Sequence, residues 1–151
     1  MAKFNSIEQV LDYAIKLEQE AVDFYNQLSI RAQNHEMKDV FLQFALEEIK
    51  HKARLQNIKD NKLFIMPDDK VADLKIGDYI EGVAPAKDMD YRDALIVAMK
   101  REKAAFILYT SLANRTKDAD LRNVFESLAL EESRHKLRFE VEYDEYIMKE
   151  N

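Results

Sequence analysis

The sequence predicts an all-α fold, and three observations carry that prediction. Glycine and proline number only two each in 151 residues, too little turn chemistry for many short strands. Apolar residues recur at steps of three, four and seven over long stretches, the period of helices that bury one face. The stretch Glu47-Glu48-Ile49-Lys50-His51 returns as Glu131-Glu132-Ser133-Arg134-His135, 84 residues later and without a gap. The helices therefore come as two copies of one unit. A length of 151 residues fits one domain, residues 1–151, large enough to bury a core without disulfides.

Ser6 opens the first helix as its N-cap, with Gln9 completing a capping-box pattern. The core stripe runs Ile7, Leu11, Ala14, Ala21 and Leu28, and two polar residues, Glu18 and Tyr25, fall within it. Lys16, Glu20, Asp23 and Gln27 form the outward face. Asn34 caps a second helix reaching about Asp60, roughly 40 Å long at about 1.5 Å per residue. Its stripe is Met37, Phe41, Phe44, Glu48, His51, Leu55 and Ile58. The short link around Gln33 to His35 makes the two helices antiparallel.

Between about Asn61 and Met89 the pattern breaks, and both prolines (Pro67, Pro85) and both glycines (Gly77, Gly82) fall there. Such a long connection needs a structural reason. A crossover running the length of a bundle supplies one, with Val71 to Ile80 as a short packed piece. Asp90 then caps a third helix, with Asp93 in its first turn and a stripe of Leu95, Ala98, Glu102, Ala105, Tyr109 and Leu112. Asp118 caps a fourth, whose stripe is Leu121, Phe125, Leu128, Glu132, His135 and Phe139. Its last residues, through Tyr146 and Met148, are expected to extend the helix and fray.

Composition removes several classes of function. The chain contains no cysteine, which excludes disulfides, thiolate catalysis and any iron–sulfur or rubredoxin-type centre within it. A net charge of −6 with interspersed lysine and arginine gives no footprint for nucleic acid. No apolar run approaches the ~20 residues of a membrane span, and Met-Ala-Lys-Phe-Asn-Ser is no signal sequence. A soluble, cytoplasmic protein is the expectation.

Sliding the chain on itself by 84 residues aligns 14–56 with 98–140, and 16 of these 43 pairs are identical. The identities include every polar residue of the core stripes: Glu18, Tyr25, Glu48 and His51 return as Glu102, Tyr109, Glu132 and His135. Two copies of one helical hairpin, about 6–60 and 90–149, would fold together into a four-helix bundle. A Glu-x-x-His spacing sets both side chains on one helical face, where they reach the same metal ion. Four ionised carboxylates in a bundle core would each cost several kcal/mol without compensation. A metal-free network of six such groups is hard to satisfy. Two divalent cations neutralise four carboxylates, and two neutral imidazoles complete the set. A Glu from each of two helices plus Glu-x-x-His from each of the other two is the di-iron or di-manganese carboxylate site of ferritin-like bundles. Oxygen and nitrogen donors without thiolates suit iron or manganese, and zinc also occupies such sites. Tyr25 and Tyr109, two turns beyond Glu18 and Glu102, would donate hydrogen bonds to the ligand carboxylates, or else fill the core simply with their rings. Glu47 and Glu131 lie one residue off the seam and are read as surface ion-pairing groups. Glu20 is read as solvated and His35 as an ordinary residue of the first link.

The pattern Glu18-x-x-Ala21-x-x-x-Tyr25, Glu48-x-x-His51, Glu102-x-x-Ala105-x-x-x-Tyr109, Glu132-x-x-His135 resembles the rubrerythrin-related branch of the ferritin-like proteins. The resemblance spans nearly the whole chain. It implies a non-haem di-iron centre reacting with hydrogen peroxide or dioxygen in oxidative-stress defence, and often a homodimer. In that arrangement Glu18 and Glu102 would be terminal ligands, Glu48 and Glu132 bridging ligands, and His51 and His135 would bind one iron each. The chain departs from rubrerythrins in two ways: it lacks the four-cysteine rubredoxin domain, and Ala105 stands where they carry an additional glutamate ligand. The first departure calls for an external electron donor such as a rubredoxin-like protein. The second shifts the expectation from peroxidase towards an oxidase, a ferroxidase or an iron-binding protein. An iron store would have to assemble into a cage, and a non-catalytic sensor or scaffold would bind metal without turnover.

Overall fold

The computed structural model describes residues 4–65 and 89–150. Among them the only regular elements are four helices: α1 (Ile7–Arg31), α2 (His35–Asp60), α3 (Tyr91–Asn114) and α4 (Ala119–Glu150). No helix of the described residues is long and apolar enough to cross a membrane. The chain divides into two compact units, one built on α1 and α2, the other on α3 and α4. Most of the expected crossover, including Val71 to Ile80, lies outside the described residues.

Every helix start obeys the chemistry its sequence offers. Four orphan amides need acceptors at each N-terminus. Ser6 Oγ accepts from the Gln9 amide at 3.2 Å, Asn34 Oδ1 from Met37 at 2.9 Å, and Asp90 Oδ1 from Asp93 at 2.8 Å. Asp118 Oδ1 serves both Asp120 and Leu121. The capping box at Ser6 differs in one leg from the usual form: Gln9 Oε1 accepts from the Asn5 amide at 2.8 Å, one residue before the cap. The end of α2 is also closed. Leu63 N donates to Ile58 O and Lys62 N to Lys59 O, a Schellman motif that holds Lys62 at φ 51°.

In the first hairpin, contacts between the helices fall in antiparallel order. Asp12 pairs with Lys59, Gln19 accepts from Lys52 at 2.8 Å, and the Tyr25 ring meets Phe44 edge-on at 6.4 Å. The Lys59 pKa is raised, chiefly by its hydrogen bond to Asp12. In the second hairpin the Tyr91 hydroxyl donates to Glu142 Oε2 at 2.8 Å, and its ring lies edge-on to Tyr146 at 5.1 Å. That contact pins the C-terminal part of α4, which runs in helical form past Tyr146 and Met148 to Glu150, where fraying is expected.

The predicted stripes are buried with few exceptions. All six stripe positions of α4 are buried. Ile7, Phe44 and Ala105 are half-exposed, and Ala45 and Ala104, beside the last two, are buried. The bulky Phe44 ring sits at the rim, against Tyr25. On α1 the buried face is wider than one stripe and takes in Val10, Val22 and Phe24, as globular helices often do. Of its outward positions, Lys16, Asp23 and Gln27 are exposed, whereas Glu20 is half-buried.

Candidate metal centre

Each hairpin builds the same group of three buried side chains. In the first, α1 presents Glu18, while α2 presents Glu48 and His51 one turn apart. Their relative exposures are 2%, 1% and 1%. His51 Nδ1 lies 3.6 Å from Glu18 Oε2 and 3.2 Å from Glu48 Oε1. In the second, α3 presents Glu102, and α4 presents Glu132 and His135, all buried. His135 Nδ1 lies 3.5 Å from Glu102 Oε1 and 3.9 Å from Glu132 Oε1. The nitrogen turned towards the carboxylates is Nδ1 in both.

These distances match what a metal ion asks of its ligands. Donor atoms at about 2.1 Å from a cation are roughly 3 Å apart when adjacent and roughly 4 Å apart when opposite. Glu18, Glu48 and His51 each offer a ligand atom within 4.8 Å of the others, and so do Glu102, Glu132 and His135. The charge balance agrees as well. Two buried carboxylates with one imidazolium would leave each hairpin a net negative charge, whereas a divalent cation with a neutral imidazole leaves none. Two oxygens and one nitrogen, without sulfur, form a hard to borderline donor set that suits iron, manganese or zinc. The group in each hairpin is thus able to hold a metal ion.

The rubrerythrin family profile matches residues 9–143 of the sequence. The chain belongs to the rubrerythrin family. A solved structure agrees on the fold: a Thermotoga maritima protein described as ferritin-like and diiron-carboxylate superposes with a TM-score of 0.73. The match covers 97% of this chain and 99% of that one at 22% sequence identity. It shows a ferritin-like fold for this rubrerythrin-family chain. A comparison with curated proteins finds no match.

The remaining residues singled out in the sequence divide clearly. Tyr25 and Tyr109 are both 1% exposed, and the Tyr25 ring packs against Phe24 as well as Phe44. Glu47 and Glu131 are half-buried, and His35 is the exposed first residue of α2. Sequence reasoning missed the buried Tyr91–Glu142 pair. A signal was present: Glu142 continues the α4 stripe from Phe139 by a step of three, an acid at another core position. The repeat underlines it, because the residues 84 places earlier are the apolar Ile7 and Ile58. Burial pushes the Glu142 carboxyl above its ordinary value, against the opposing pull of the Tyr91 hydrogen bond and of Arg138. Burial, with help from the Glu142 carboxylate, also raises Tyr91 far above a normal phenol.

Proposed function

We propose that these six residues serve a di-iron centre of a cytoplasmic oxidoreductase that reacts with hydrogen peroxide or dioxygen. Glu18 and Glu102 would serve it as terminal carboxylates, Glu48 and Glu132 as carboxylates shared by the metals, and His51 and His135 would bind one each. The duplicated, buried Glu–Glu–His group carries this reading. Membership of the rubrerythrin family supports it, as does likeness in fold to a protein described as diiron-carboxylate. When bound, iron supplies one-electron chemistry at each of two adjacent positions.

This chain's own residues prepare the site for that chemistry. The four carboxylates match the charge of two divalent cations, so the centre is held without a net buried charge. Tyr25 and Tyr109 steady ligand carboxylates through their hydroxyls. Phe41 and Phe125, each seven residues before a bridging glutamate and 0% exposed, keep water from the ligands. With no cysteine in the chain, electrons for turnover come from a separate redox protein of the rubredoxin type.

Ala105 favours a second reading. Where rubrerythrins carry a further glutamate, a half-exposed methyl group stands, which points to ferroxidase or iron-handling activity in place of peroxide reduction. Stopped-flow mixing of the Fe(II)-loaded protein with peroxide and, separately, with dioxygen decides between them. Faster oxidation by peroxide supports the peroxidase, faster oxidation by dioxygen supports the ferroxidase, and no oxidation by either ends the enzyme reading. Glu132→Ala is expected to hold fewer than two irons per chain by metal analysis; two irons per chain would defeat the ligand assignment. Tyr25→Phe is expected to oxidise roughly tenfold more slowly, and an unchanged rate would remove the role given to that hydroxyl.

A further inference from the structure

The outer face of α4, opposite its buried stripe, carries a second periodic pattern. Leu130, Arg134, Leu137, Val141, Asp144 and Met148 follow one another at alternating steps of four and three, the spacing of a coiled-coil seam. All six are exposed, with Leu137 at 62% and Met148 at 76%. Four large apolar side chains in one register over about 27 Å of helix, interrupted only by Arg134 and Asp144, are more than the scattered apolar residues of an ordinary surface.

The order of residues along this seam names its partner. Laid antiparallel against a copy of itself and centred at the height of Phe139, the seam brings Leu137 opposite Val141 and Leu130 opposite Met148. In the same register Arg134 falls opposite Asp144. Every layer is then either apolar against apolar or cation against anion, and the two-fold axis makes each contact twice. A parallel pairing would instead set Arg134 against Arg134 and Asp144 against Asp144.

We propose that the outer seam of α4 is a self-recognition surface on which two copies of this chain pair antiparallel, with Arg134 of each copy against Asp144 of the other. The apolar layers provide the attraction, and the charged layers fix direction and register. The pairing uses none of the residues assigned to the metal centre and is independent of the reaction proposed for it.

The test is sedimentation velocity over a concentration series, with circular dichroism to confirm that each variant is folded. The wild type is expected to dimerise, more weakly at high salt. Leu137→Glu, at an exposed position, is expected to weaken the dimer roughly a hundredfold. Arg134→Asp and Asp144→Arg should each weaken it about tenfold by opposing like charges, and the double variant carrying both should return to near the wild-type affinity. A monomeric wild type overturns the proposal. So does a dimer indifferent to Leu137→Glu, which would rest on another surface such as the exposed Leu46 and Ile49 of α2. Failure of the double variant to recover overturns the antiparallel register.

Discussion

Glu142 is 4% exposed and is held in place by Tyr91, 51 residues away in the chain. Its carboxyl takes up a proton more readily folded than unfolded, because burial disfavours the charge. A folded pKa above the unfolded one means stability that is complete below the unfolded pKa and is lost as pH rises through the folded one. Glu142→Gln keeps an acceptor for Tyr91 and removes the titration. The variant should therefore gain on the wild type in melting temperature as pH climbs above the normal glutamate range, by a few degrees over the window. Parallel curves would show that Glu142 titrates normally. The six metal-site candidates were legible because each interrupts an otherwise apolar stripe at helical spacing. Glu142 continues the α4 stripe, and its partner Tyr91, the first residue of α3, continues the α3 stripe back from Leu95 by a step of four. Nothing in the local pattern joins the two, and only the tertiary contact between α3 and α4 does so.

At the scale of the helices, starts were more legible than ends. A start requires a specific acceptor, and Ser6, Asn34, Asp90 and Asp118 supply it. The end of α4 contains no breaker, and what holds it in helical form is the contact between Tyr146 and Tyr91, invisible to local patterning. The end of α2 closes through Lys62 in the left-handed region, where a side chain with a Cβ costs about 1 kcal/mol. Glycine pays no such steric cost there. Lys62→Gly is therefore expected to stabilise the first hairpin by roughly 0.5–1 kcal/mol, read as a shift in urea midpoint; a lower midpoint would mean that the lysine side chain contributes packing that outweighs its backbone strain. The buried widths of the helices were less legible than their phases. A single stripe identifies the direction of the core, but the split between Phe44 and Ala45, or between Ala105 and Ala104, depends on how closely neighbouring backbones approach.

For the whole molecule, the duplication is the most informative feature and the one most fully present in the sequence. Its register passes through both hairpin turns without a gap, so Glu18 to Glu48 and Glu102 to Glu132 span the same number of residues, and the two hairpins build matching groups. The copies have drifted apart away from those groups, as Tyr91 and Glu142 against Ile7 and Ile58 show. The orientation of the two imidazoles has a spectroscopic consequence. A histidine that gives Nδ1 to a metal must carry its proton on Nε2, on the other edge of the ring. Each hairpin of the iron-loaded protein should then contribute one exchangeable imidazole proton close to a paramagnetic ion. Proton NMR of the Fe(II) form is expected to show two strongly shifted resonances that vanish in deuterated water. Their separation would measure how far the copies have diverged, and the loss of one in His51→Ala would assign each signal to its hairpin. A spectrum without such signals would show that neither imidazole is bound to the iron.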